Sequence, residues 1–203
     1  MEFEGIDITA IARMGLILLH LIAVVIAGIG IAFGDYAILM KKKIDVQLLH
    51  TSTKIISIAL LLLWLTGAAV IWLDTQFDLS LLTTSPKLLA KLTVVSILSI
   101  NGVALHLLVF KKLKSSLVDT RYMAFLLTSL GAISLVSWLY AIFVGLAKPV
   151  APLLGYSGFL GLYGVVAVLG VVLALIVLKR KIATRLLLSL RGRDQGKLEQ
   201  ASA

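Results

Sequence analysis

The sequence predicts an all-α membrane protein built as a bundle of five transmembrane helices. Three observations carry that expectation. The 203 residues are 60% hydrophobic with a mean hydropathy of +1.08, and only 14% are charged, against about 25% in an ordinary soluble domain. The apolar residues gather in five runs that each approach or exceed the ~20 residues needed to cross a bilayer core. The basic residues stand beside those runs, which is how the loops flanking a membrane are marked.

Taken in order, Met1 to Arg13 form a short acidic lead carrying Glu2, Glu4 and Asp7. It lacks the positive n-region and the small-residue cleavage site of a secretory signal. The spans are expected over 14–40, 53–73, 88–110, 122–147 and 153–178. Each must be helical, because lipid offers a backbone amide no partner outside its own segment. Lys41-Lys42-Lys43 follow the first span, Lys111, Lys112 and Lys114 the third, and Lys179-Arg180-Lys181 the fifth. Of the 19 Lys and Arg, 15 fall on the side of the first loop, third loop and tail, and 4 (Arg13, Lys87, Lys91, Lys148) on the other. The positive-inside bias then puts the N-terminus outside and the C-terminus in the cytoplasm of a bacterial-type inner membrane.

The domain reading is a membrane domain over 1–178 and a basic cytoplasmic tail over 179–203. In the tail, Ile182, Leu186, Leu187 and Leu190 recur at helical spacing among Lys181, Arg185 and Arg191. Two readings stand side by side: an amphipathic helix lying on anionic lipid, or the fifth helix running on past the bilayer. Gly192 is expected to end it.

Small residues mark where helices approach closely. Ala23, Ala27, Gly30 and Gly34 fall within an arc of about 60° on the first helix, flanked by His20 and Asp35, so this face is expected inward. On the fifth helix Gly155, Gly158, Gly161, Gly164, Ala167 and Gly170 recur every three residues. Against a period of about 3.6 that stripe winds around the helix, so it cannot all serve one interface.

The third span holds most of the polar residues found at depth: Lys91, Asn101 and His106. Lys91, Gly102 and His106 share one side, with Asn101 at the edge of an arc of about 140°. An ionisable group in lipid is costly and normally faces the bundle interior or a water-filled cavity, so this arc is expected to organise the bundle.

The three histidines are His20, His50 and His106. Imidazole is a ligand for haem iron and other metals. By helical rise, His20 lies roughly 7 Å outside the midplane and His106 roughly 10 Å to its cytoplasmic side. That gap is too large for two axial ligands of one haem. His50 is nearer His106 in depth, so the candidate metal ligands are His50 and His106, with His20 and Lys91 as a separate outer cofactor site. Structural readings compete at each position: His50 as an interfacial residue beside Lys41–Lys43, His106 as a satisfied buried histidine, Lys91 as a snorkelling cation, Asp35 paired with a nearby lysine, and Asn101 cross-linking helices.

With no cysteine, disulfides, thiolate sites, iron–sulfur clusters and c-type haem attachment are excluded. No phosphate-cradling loop, HExxH or GxSxG is present, and the net charge of +9 sits where it marks a membrane, not where it would bind nucleic acid.

An early His20 followed by small residues, a second helix ending in Thr66-Gly67, and a third opening with Lys91 and closing with Asn101-Gly102 and His106 resemble two groups. These are small bacterial membrane proteins of the copper-resistance D type and the four-helix membrane protoporphyrinogen oxidases. The resemblance covers the first three spans, about half the chain. For the oxidases it implies a histidine and a lysine near a porphyrin, at His20 and Lys91. The chain departs from the pattern in its five spans and basic tail. The leading expectation is an inner-membrane protein binding haem b for electron transfer or porphyrin redox chemistry. The alternatives are a non-catalytic subunit associating with a membrane partner or with itself, and a small carrier or channel lined by Asp35, Asn101 and His106.

Overall fold

The structure, a computed structural model, describes residues 7–110 and 119–201. Glu2 and Glu4 of the acidic lead and the Lys111, Lys112 and Lys114 cluster lie outside these residues. The described chain is helical from end to end: α1 (Ile8–Leu39), α2 (Val46–Thr75), the short α3 (Leu79–Thr83), α4 (Pro86–Ala104) running into a π-helical turn (Leu105–Phe110), α5 (Thr120–Leu146), α6 (Ala151–Val177) and α7 (Lys179–Ala201). Five of these segments are long and apolar enough to cross a membrane: 8–39, 46–75, 86–109, 120–146 and 151–177. Their surfaces carry the large apolar side chains that lipid requires, with Leu61, Leu139, Val168 and Leu173 all about 60% exposed. The protein is a multi-pass, all-α membrane protein.

The helices extend past the apolar runs because local polar groups satisfy their ends. The Asp7 carboxylate accepts from the amides of Thr9 and Ala10 at the start of α1. Asp78 does the same for Ser80 ahead of α3, and the Ser80 hydroxyl hydrogen bond holds its carboxyl below the usual range. Asp119 accepts from Arg121 and Tyr122 ahead of α5.

The chain forms two compact units. The first comprises Met1–Gly34 and Gln47–Ser85 and is built on α1 and α2 as an antiparallel pair. Along α1, Ala23, Ala27, Gly30 and Gly34 are all buried, as the small-residue stripe predicts. Contacts step up α1 from 34 to 30 to 20 as they step down α2 from 52 to 56 to 66, so the register is constant. A Cβ on Gly30 would lie 2.8 Å from Cγ1 of Ile56 and 3.4 Å from its backbone nitrogen, and one on Gly34 would lie 3.7 Å from Cβ of Ser52. Glycine at these points is what lets the two backbones meet.

The second unit comprises Asp35–Val46 and Pro86–Ala203. Its core joins Ala90 and Val94 of α4, Tyr140, Val144 and Ala147 around the end of α5, and Phe159 and Tyr163 of α6. Polar groups fasten it internally. The Tyr140 hydroxyl donates to the Phe159 carbonyl at 2.6 Å, Ser137 and Tyr163 share a bond of 2.8 Å, and Asn101 Nδ2 donates to the Leu130 carbonyl at 2.9 Å. Asn101 is therefore a helix cross-link. Tyr140→Phe removes a bond made at a buried site and is expected to cost about 0.5–1.5 kcal/mol, read as a lower unfolding midpoint in detergent with unchanged helicity.

The face of α4 differs from expectation. Ala90, Val94, Leu98 and Asn101 are buried, while Gly102 and His106 are exposed and Lys91 is half-buried. The arc of Lys91, Gly102 and His106 does not form the inward face. Ala90, Val94 and Leu98, spaced by four, form the apolar part of the buried face, and Asn101, three further on, bonds to α5. The π-helical turn then shifts the register, burying Val109 and leaving His106 outward.

Within α6 the glycines play separate parts. Gly155 has φ 57° and ψ −175°, a region open essentially only to glycine. It breaks the helix one turn after its start. A Cβ on Gly170 would lie 2.6 Å from Cγ2 of Val136 on α5, whereas at Gly161 and Gly164 it would meet nothing within 4 Å. The stripe does not form one interface, as its winding requires.

The tail is helical and docked. Ile182 and Leu186 are buried, and the Arg185 guanidinium donates to the Ile38 carbonyl at 2.8 Å. The helix follows α6 after the single residue Leu178, whose amide and carbonyl bond to Ala174 and Ile182 across the junction. Gly192 does not end the helix, which continues to Ala201. An interior glycine costs a helix only about 1 kcal/mol.

Candidate functional site

Within the first unit, His20 of α1 faces the C-terminal half of α2, where its Nδ1 lies 2.8 Å from the Thr66 Oγ1. The direction of that bond follows from Thr66. Its hydroxyl lies 2.7 Å from the Leu62 carbonyl, which can only accept, so the single threonine proton goes there. Toward His20 the oxygen accepts, and His20 Nδ1 carries the hydrogen. In the neutral ring Nε2 is then the lone-pair nitrogen. A metal-binding histidine is oriented in this way, through a hydrogen bond at its other nitrogen. Gly67 adjoins: a Cβ there would lie 3.8 Å from His20 Cε1, so alanine would fit and a longer side chain would crowd the imidazole.

Seven residues before His20, roughly 10 Å along the helix, Arg13 and Asp74 form a two-point ion pair. Nε lies 2.8 Å from Oδ1 and Nη2 3.1 Å from Oδ2. Both side chains are exposed, so the pair contributes at most about 1 kcal/mol, but its fork geometry fixes the register of α1 on α2 at that end. Its sequence signal is a pair of opposite charges, Arg13 and Asp74, bounding two successive spans.

The other predicted site residues are dispersed. His50 is exposed in the first turns of α2. It lies 16 residues from Thr66, roughly 24 Å along the helix, so within this unit it cannot share an ion with His20. Lys91, Asn101, His106 and Asp35 belong to the second unit. Each expected pair, His50 with His106 and His20 with Lys91, thus draws one residue from each unit. Lys87, one turn before Lys91, donates to the Gly145 carbonyl at 2.9 Å. Asp35 is exposed and forms no ion pair among the described residues; Lys41 pairs instead with Asp45, and that hydrogen bond raises the Lys41 pKa. Among the described residues no three His, Asp or Glu side chains gather as a metal cluster.

The spans and their packing define the class: an integral, multi-pass α-helical membrane protein. No protein-family model, curated protein or solved structure matches the chain.

Proposed function

We propose that this is a protein of a bacterial-type inner membrane, N-terminus outside, that binds haem b through His20 and serves electron transfer or porphyrin redox chemistry. The observation that supports it is the His20–Thr66 hydrogen bond, which assigns the proton to Nδ1 and the lone pair to Nε2. A haem iron takes its axial ligand from the lone pair of a neutral imidazole. The bound haem would supply one-electron chemistry. The protein's part is to hold the imidazole in one tautomer through Thr66 and to leave room for it at Gly67. Lys91, His50 and His106 are the remaining candidate cofactor-binding residues of the chain.

A visible spectrum of protein purified from haem-replete cells tests this. The expected result is a Soret band that shifts on reduction, is lost in His20→Ala and survives His50→Ala. Thr66→Val keeps the side-chain shape and removes the acceptor, and it is expected to weaken haem retention by about tenfold or more. A colourless wild-type preparation would sink the proposal.

A second reading, a non-catalytic subunit that associates with a membrane partner or another copy, is favoured by α6. It buries only Phe159 and Tyr163 and leaves Gly161 and Gly164 facing open space. Co-purification of a larger complex from a colourless preparation would select it. The carrier reading has less support, because the Asn101 amide is used to cross-link α4 to α5.

A further inference from the structure

Over residues 179–190, whose side chains are described, the tail helix α7 packs within the second unit along one stripe. Ile182 and Leu186 are its buried residues, and the Lys179 ammonium sits 5.5 Å from the centre of the Phe125 ring. At 100° per residue, Arg180, Lys181, Thr184, Leu187 and Leu188 occupy an arc of roughly 120° on the opposite side. All five are exposed. One helix thus presents an apolar stripe to the protein and a stripe of cations and leucines outward.

The contact at Ile38 brings further cations to this face. Ile38 lies in the last turn of α1, where carbonyls lack helical partners. The Met40 amide takes the Tyr36 carbonyl, the Asp45 amide takes that of Ala37, and Arg185 takes that of Ile38. The loop after α1 is therefore pinned beside α7, and Lys42 and Lys43, within five residues of Ile38, are exposed. Arg121 opens α5 one turn before Phe125 and is exposed too. Besides Lys41, the joined segments thus carry six exposed cations, Lys42, Lys43, Arg121, Lys179, Arg180 and Lys181, with Lys179 on the flank nearest Phe125. Of the carboxylates on the same segments, Asp45 is held by Lys41 and Asp119 by the amides of Arg121 and Tyr122. Asp35 is the third.

We propose that the outward stripe of α7 and the Lys42–Lys43 loop form a docked surface that binds the phosphate headgroups of anionic phospholipids in the adjacent leaflet. A strong positive excess complements that leaflet. Leu187 and Leu188, set among the cations, suit the boundary between headgroups and acyl chains, where interfacial helices place their apolar side chains. An acidic protein partner would match the charge but leave the two leucines without a role. The surface is independent of the His20 site, so either can fail alone.

The test uses the full-length protein, delipidated in a neutral detergent and titrated with phosphatidylglycerol, phosphatidylcholine or inorganic phosphate. Retained lipid is read by native mass spectrometry and stability by the unfolding midpoint. Phosphatidylglycerol is expected to bind and raise the midpoint, with the other two without effect. The variant K42Q/K43Q/R180Q/K181Q alters only exposed side chains and is expected to lose affinity roughly fivefold per cation removed, at unchanged helicity. Lys148→Gln, remote from this surface in sequence and flanking α6 at its other end, should bind as wild type. Arg185→Met keeps the six cations but releases α7 from Ile38, and is expected to weaken binding several-fold. Three results would overturn the proposal: undiminished phosphatidylglycerol binding in the quadruple variant, an equal response to phosphatidylcholine or inorganic phosphate, or wild-type binding by Arg185→Met, which would make the tail a free lipid-binding segment.

Discussion

Gly30→Leu is expected to separate α1 from α2 and to remove the His20 site with them. The Cβ alone would lie 2.8 Å from Ile56 Cγ1 and 3.1 Å from Ile55 Cγ2. For an alanine the two isoleucine side chains would have to shift by a few tenths of an ångström. They cannot yield to three more carbons, because the Ile56 backbone nitrogen stands 3.4 Å from that Cβ. Overpacking of this kind costs about 1–3 kcal/mol or more. Because the register of the pair runs unbroken from Gly34 to His20, the strain is expected to loosen the His20–Thr66 bond ten residues away. The measurement is the unfolding midpoint together with cross-linking between cysteines placed at 23 and 63. Gly28→Leu, where a Cβ meets nothing within 4 Å, is the control and should be neutral. Equal behaviour of the two variants would show that the small-residue stripe is not the contact.

Gly155→Ala is expected to cost about 1–3 kcal/mol for a different reason. A Cβ at 155 would touch nothing within 4 Å, so no neighbour has to move. The cost is the backbone's own: φ 57° with ψ −175° places any Cβ against the adjacent peptide. The effect should therefore be nearly complete at alanine and grow little with side-chain size, whereas at Gly30 it should climb steeply from alanine to leucine. An unchanged midpoint in Gly155→Ala would mean that α6 starts as one unbroken helix. The break also bears on the packing of α6 against α4, where Tyr156, the next residue, places its hydroxyl 3.1 Å from that of Thr93.

How far the sequence could be read depended on what each residue type signals in lipid. The stripe from Ala23 to Gly34 was legible because smallness is a packing signal that lipid does not imitate. His20 and Thr66-Gly67 were legible as parts of a pattern, though only the register of α1 on α2 brought them together. On α4 and its π-helical turn the ionisable residues Lys91 and His106 do not mark the buried face. A cation one turn from Lys87 can reach outward, and the buried stripe of Ala90, Val94 and Leu98 has the same polarity as the acyl chains. Periodicity carries little information where both surroundings are apolar. The partner of Arg185 was not legible, because a backbone carbonyl leaves no trace in side-chain chemistry.

By itself, the sequence determined the solvent of this protein, its five spans, the helical state of each and the close contact along α1, since bilayer thickness and the absence of any external partner for buried amides leave no alternative. Tertiary structure alone decided the tautomer of His20, the break at Gly155, the outward turn of His106 and the docking of α7. Each of these depends on a hydrogen bond or a contact between residues distant in the chain, or on a backbone angle, and none leaves a period in the sequence.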